Sequence, residues 1–260
     1  MWRLGELMIL FLAGTSDARE LAIRLMQAGY DLVATVVTDS AAASLQEAKV
    51  PYHVGRLTEQ QMTELIEERH VTTVVDASHP YAEEASKTAM AAASITGIPY
   101  IRYERPQQSY VHPLVTQVET YKEAAIAASA HSGTIMLTTG SKTLAVFTEQ
   151  LLHNENIRLV CRMLPNKENM DKCDALGVKQ RDIIAIQGPF SKALNKALYE
   201  QFSTTLVITK ESGKVGSVDE KMDAALEMGI PVILIKRPKI QYENLCTSFE
   251  EVFEKLGGKQ

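Results

Sequence analysis

The chain predicts an α/β protein made of two doubly wound, parallel-sheet domains. Three observations carry this expectation. Short runs of valine, isoleucine and leucine recur along the 260 residues, separated by segments of helical periodicity. The runs are almost continuously apolar, as in parallel strands covered on both faces. The rhythm breaks once, at YERPQQSYVHP (residues 103–113), where polar residues and two prolines read as a linker.

The first run, residues 7–13, is followed at once by a turn and an amphipathic segment at 16–28. It is too short to cross a membrane, so it reads as a buried strand and not as a leader or anchor. Met8 offers an alternative start, which would make residues 1–7 a dispensable extension. Further strands are expected at 32–37, 52–54, 72–76 and 100–102, with helices at 41–48, 59–69 and 81–96. Gly29 and Gly97 stand where helices end. Beyond the linker, strands fall at 134–137, 157–161, 183–186, 206–208 and 232–235. Helices fall at 121–130, 143–152, 167–176, 191–201, 218–227 and 248–256. The expected domains are therefore residues 1–106 and 107–260.

Composition narrows the function. With 27 Lys and Arg against 32 Asp and Glu, the formal charge of −5 argues against a nucleic-acid partner. It leaves an acidic small molecule open, because local basic groups decide that. Cys161, Cys173 and Cys246 are odd in number and lack C-x-x-C spacing, which fits a reduced cytoplasmic protein without a disulfide framework. The six histidines form no H-x-x-x-H or H-E-x-x-H cluster, so no metal site is expected.

Open α/β sheets bind ligands beyond the carboxyl ends of their strands, and those ends hold the candidate residues. After the first strand, Gly14 allows a tight turn, and Thr15 and Ser16 supply hydroxyls, with Ser16 as helix cap. The helix start would face a phosphate. Only one glycine is present, not G-x-G-x-x-G, so a plain capped turn is the alternative. After the second strand, Asp39 suits the ribose hydroxyls of NADH, whereas Thr38 and Ser40 tolerate the 2′-phosphate of NADPH. A helix cap by Asp39 or Ser40 explains them equally well. The fourth strand ends in DASHPYA, which sets Ser78, His79 and Tyr81 at its mouth. In the second half, LTTGSK carries Lys142, CRMLP carries Arg162, IQGPFS brings Ser191 as a cap, and TKESGKVGSVDEK carries Lys210, Ser212 and Lys221. Each alone reads as a solvated loop; together they form a basic edge suited to a polycarboxylate or phosphate.

The stretches LAGTSDA, DASHPYA, RYERP, LTTGSK, RMLP, QGPFS, TKESG and EKMDAALEMGIPVILIKRP occur here in order. In them the chain resembles the precorrin-6A reductase family of cobalamin biosynthesis, from Met8 to about Pro238. The resemblance implies two Rossmann-like domains with a cleft between them. It implies reduction of one double bond of the precorrin-6A macrocycle, giving precorrin-6B, by hydride from NADPH; NADH stays possible for a cobalt-containing substrate. Carried over, Gly14, Thr15 and Ser16 would hold the pyrophosphate, with Thr38, Asp39 and Ser40 near the adenine ribose. Ser78 would cap the following helix beside the nicotinamide. His79 and Tyr81 are candidate proton donors, with water or a ring nitrogen as alternatives. Arg102, Arg105, Lys142, Arg162, Lys210, Ser212 and Lys221 would meet the substrate carboxylates. Rival readings are a nucleotide-sugar transferase of two Rossmann domains, a non-catalytic NADP(H) sensor, and a cobalamin-pathway methyltransferase. The basic edge favours an enzyme with an anionic substrate. No membrane partner is expected, and the oligomeric state is left open.

Overall fold

The computed structural model describes residues 7–37, 39–106, 111–211 and 219–257, with the backbone alone at 39 and 40. In chain order the elements begin with β1 (Met8–Leu12), α1 (Ser16–Gln27), β2 (Asp31–Val36), α2 (Asp39–Glu47), β3 (Tyr52–Val54), α3 (Glu59–Glu68), β4 (Thr73–Asp76), α4 (Glu83–Thr96) and β5 (Tyr100–Tyr103). Next come β6 (Val115–Val118), α5 (Tyr121–Ser129), β7 (Gly133–Leu137), α6 (Leu144–Leu151), β8 (Ile157–Met163), α7 (Lys167–Ala175) and β9 (Ile183–Ala185). Then follow α8 (Lys192–Gln201), β10 (Thr204–Lys210), α9 (Glu220–Glu227), β11 (Val232–Ile235), β12 (Leu245–Cys246) and α10 (Phe249–Lys255).

These elements form two compact units, one of residues 1–106 with 238–260, the other of residues 107–237. The first sheet runs β12-β5-β4-β1-β2-β3, the second β6-β11-β10-β7-β8-β9. Every described pairing is parallel. Counted from β1 and from β7, both sheets follow one doubly wound plan. The strand order reverses between β1 and β4 in the first unit, and between β7 and β10 in the second.

The continuous apolar runs have a simple cause. Successive side chains of a strand point to opposite faces, and here both faces are covered. In β1, Ile9 and Phe11 pack with Leu21 and Leu25 of α1, while Leu10 and Leu12 pack with Met62 and Ile66 of α3. In the second unit, Ile135 and Leu137 join Phe147 on one face, and Met136 joins Tyr199 and Met222 on the other.

Four details differ from the sequence reading. Residues 238–260, assigned by sequence to the second domain, lie with the first, where Leu245 and Cys246 pair with Arg102 and Tyr103. Strand β6 falls between the linker and the next expected helix, where the sequence reading places no element, and it pairs with β11. Thr15, not Ser16, caps α1, its Oγ1 accepting from Ala18 N at 3.2 Å. Helix α4 begins at Glu83, with Ala82 as a cap residue that offers no side-chain bond, so Ser78 is not its cap.

The two units also share a buried ion pair at equivalent places. Asp76 ends β4 and meets Arg102 of β5 at 2.8 Å. Glu211 follows β10 and meets Arg237, beyond β11, at 3.2 Å. Buried pairs of this kind seldom add net stability over apolar replacements, so their value lies in fixing the strand ends they occupy.

Candidate active site and basic edge

In the first unit the connections after β1 and β4 meet backbone to backbone. A Cβ built on Gly14 would lie 3.0 Å from His79 N and 3.4 Å from Ser78 Cα. Gly14 is therefore needed for close approach of two loops, and its φ is not in the left-handed range. Thr15 is half-buried at its cap, and Gly14 and Ser16 are exposed at the start of α1. The first N–H groups of a helix have no helical acceptors, which suits an anion there. Asp17 brings a negative charge to that first turn, but Arg105 Nε holds it at 2.6 Å. Tyr103 bonds to both, and burial raises its phenol pKa.

The DASHPYA turn is held from beneath by a buried polar network. Asp76 Oδ1 accepts from Ser78 N at 2.9 Å and from Arg102 Nη1 at 2.8 Å. Asp76 Oδ2 accepts from the Tyr100 hydroxyl at 2.6 Å. Burial foremost, then the Asp76 charge, raises the Tyr100 pKa, so this phenol stays protonated as a donor. Arg102 Nη1 also donates to Ser78 Oγ at 3.1 Å, and the guanidinium lies 5.3 Å from the Tyr242 ring centre. Burial works against the charge on Arg102, and Asp76 leads the groups that outweigh it. Above this network, His79 Nδ1 accepts from Tyr81 N at 3.2 Å. The neutral ring then carries its proton on Nε2. The His79 and Tyr81 rings are 5.7 Å apart and both are half-buried.

The second unit presents a basic edge. Thr138, Thr139 and Gly140 after β7, Arg162 in β8, Phe190 after β9 and Lys221 in α9 line a pocket of about 550 Å³. Arg162 is 6% exposed, donates from Nη1 to Asn195 Oδ1 at 2.7 Å, and lies 4.3 Å from the Phe190 ring centre. It makes no ion pair with a carboxylate among the described residues, and burial lowers its pKa. Lys210, at the end of β10, is brought down to about 8 by burial, then by Lys221 and Lys142. Burial likewise lowers Lys221, against the nearby Asp219 charge at 3.9 Å. Lys142 is exposed in its loop.

The structure thus gathers Gly14, Thr15, Ser16, Ser78, His79 and Tyr81 on one sheet edge, and Lys142, Arg162, Lys210 and Lys221 on the other. Two expectations are corrected. Arg102 is fully buried against Asp76, and Arg105 is committed to Asp17, so both carboxylate-facing assignments give way to internal pairing. Thr38 and Ser212 lie outside the described residues, as do the side chains of Asp39 and Ser40. Sequence reasoning missed Asp76, Tyr100, Tyr242, Phe190 and Asn195. Asp76 stood in the motif itself; Tyr242 and Asn195 carried no local signal.

No helix among the described residues is long and apolar enough to cross a membrane. None of their His, Cys, Asp and Glu side chains gather into a metal-binding group.

Comparison with known proteins agrees over most of the chain. The family model for precorrin-6x reductase CbiJ/CobK matches residues 8–257. The cobalt-precorrin-6A reductase of Priestia megaterium is 58% identical over 96% of this chain and 98% of its own length. That of Salmonella typhimurium is 38% identical over 88% of this chain and 87% of its own. A solved CobK precorrin-6A reductase superposes with a TM-score of 0.78 at 25% identity, covering 96% of both chains. A match over residues 8–257 takes in both sheets: the chain belongs to the precorrin-6x reductases.

Proposed function

We propose that this chain is a cobalt-precorrin-6A reductase, saturating one double bond of the cobalt-containing macrocycle in cobalamin biosynthesis. The carrying observation is the 58% identity with the Priestia megaterium cobalt-precorrin-6A reductase over nearly both whole chains. Relatives named for the cobalt substrate reach 30% identity and above, while those named for precorrin-6A itself stand at 29%.

A reduced nicotinamide nucleotide fits the first unit's edge. Gly14 lets the β1–α1 turn close on residues 78 and 79, and Thr15 and Ser16 open the helix start to a pyrophosphate. Thr38, Asp39 and Ser40 would decide between NADPH, the first choice, and NADH. When bound, the nucleotide supplies hydride. The protein supplies orientation and a proton. His79 Nε2–H and the Tyr81 hydroxyl are the donors offered by this edge, with Ser78 fixing the start of their turn.

The second unit's edge suits the substrate's carboxylates. Arg162 is already oriented by Asn195 and Phe190, so little freedom is lost when it binds a planar carboxylate. Lys142, Lys210 and Lys221 add charge to the same edge. The test is anaerobic incubation with cobalt-precorrin-6A and nucleotide deuterated at the transferring carbon. Deuterium in the product macrocycle supports the assignment; an unlabelled, unreduced macrocycle refutes it.

A further inference from the structure

We infer that Arg102 and Tyr242 are positioning residues that set the orientation of the His79 imidazole; this rests on the reading of the 78–81 turn as part of the reacting site. The atoms form an unbroken chain. Arg102 Nη1 holds both Asp76 Oδ1, at 2.8 Å, and Ser78 Oγ, at 3.1 Å. Asp76 Oδ1 in turn holds Ser78 N. Ser78 is thereby fixed at its amide and its hydroxyl. The next residue, His79, runs close beside Gly14, where an added Cβ would lie 3.0 Å from the His79 amide. On the other side its ring takes Tyr81 N, and its carbonyl accepts from Ala82 N at 2.7 Å. A shift at Arg102 is therefore passed through Ser78 to the backbone that carries the imidazole.

Tyr242 closes the network from the segment that returns to the first unit. Its ring stacks on Tyr100 at 6.3 Å with an interplanar angle of 17° and covers the Arg102 guanidinium. Its hydroxyl bonds to Ser86, whose Oγ lies 3.5 Å from Ser78 Oγ. The arrangement is not what stability alone would select. Arg102 pairs with both Asp76 and Glu104, Arg102 and Asp76 are wholly buried, and Arg102 Nη2 is buried without a hydrogen-bond partner among the described residues. Apolar side chains would fill the same space at less cost in desolvation. What they would not do is fix Ser78 at two atoms.

The test compares Arg102→Lys, which keeps the charge and loses the fork, with Tyr242→Leu, which keeps the ion pair and loses the cover. Each is scored on kcat, on both KM values, on Tm and on the nitrogen-15 signals of the His79 ring. Arg102→Lys is expected to lower kcat about 10- to 100-fold, the range that sub-ångström to 1 Å misplacement produces. Both KM values should stay within about threefold, and the His79 ring signals should move. Tyr242→Leu should act in the same direction, more weakly. A raised macrocycle KM with kcat kept would overturn the inference in favour of direct substrate contact. A lowered Tm with kcat and ring signals unchanged would overturn it in favour of a structural role. His79→Ala separates the two layers. If it leaves kcat intact, the site assignment fails; if it lowers kcat but Arg102→Lys leaves the ring signals in place, only the positioning inference fails.

Discussion

Gly14→Val strikes the point where the two loops of the first unit touch. The new Cβ would sit 3.0 Å from His79 N, against the 3.4 Å at which ordinary contact begins. The turns must part by about 0.4 Å for Cβ alone, and the two γ carbons add to this. The neighbouring atoms are backbone, and Ser78 is pinned by Asp76 and Arg102, so no flexible side chain can absorb the change. Overpacking of this kind costs about 1–3 kcal/mol. That should lower Tm by roughly 2–4 °C per kcal/mol. The fold should survive, but the pyrophosphate cradle and the His79 turn should not keep their spacing. Nucleotide affinity, followed by fluorescence titration, should fall about tenfold or more, and kcat by up to about 100-fold. Unchanged affinity together with unchanged kcat would remove this loop from the site.

Other expectations follow from the same geometry. Lys210→Ala should raise the macrocycle KM more than the nucleotide KM; the reverse would exchange the roles of the two edges. Because Lys210 is lowered to about 8, macrocycle affinity should weaken as pH rises through that value and the ammonium is lost. Removing one like charge with Lys142→Gln should move this midpoint upward, and a midpoint that does not move would detach Lys142 from the cluster. Arg162→Met removes a buried cation that Asn195 and Phe190 hold and the Asp219 charge favours, so the macrocycle KM should rise about tenfold or more while Tm changes little. A lowered Tm with an unchanged KM would make Arg162 structural. Asp76→Asn leaves Arg102 buried beside a neutral partner and should cost about 3–5 kcal/mol, read as a lower denaturant midpoint; full stability would refute the network.

Most of the fold was legible because its cause is local. Strands such as β1 and β7 bury both faces, so they appear as unbroken apolar runs between capped helices. Strand β12 was not legible: two residues on a sheet edge carry no periodicity, and their partners in β5 are distant in sequence. The candidate edges were legible as polar residues at strand ends, which is where the sheet plan delivers ligands. Which of those residues face outward was not. Arg102 reads like Arg162 in the sequence, each a basic residue at a strand end. The difference lies in Asp76 on the neighbouring strand, a pairing that only the assembled sheet reveals. Gly14 was read as a turn residue, whereas its role depends on the backbone of residues 78 and 79.

The most direct measurement is anaerobic oxidation of NADPH and of NADH, followed by absorbance, with cobalt-precorrin-6A added to the purified protein. The expected result is nucleotide oxidation that requires the macrocycle and stops when it is consumed, with the faster nucleotide identifying the physiological donor. No macrocycle-dependent oxidation of either nucleotide, with precorrin-6A as well as its cobalt complex, would contradict the assignment.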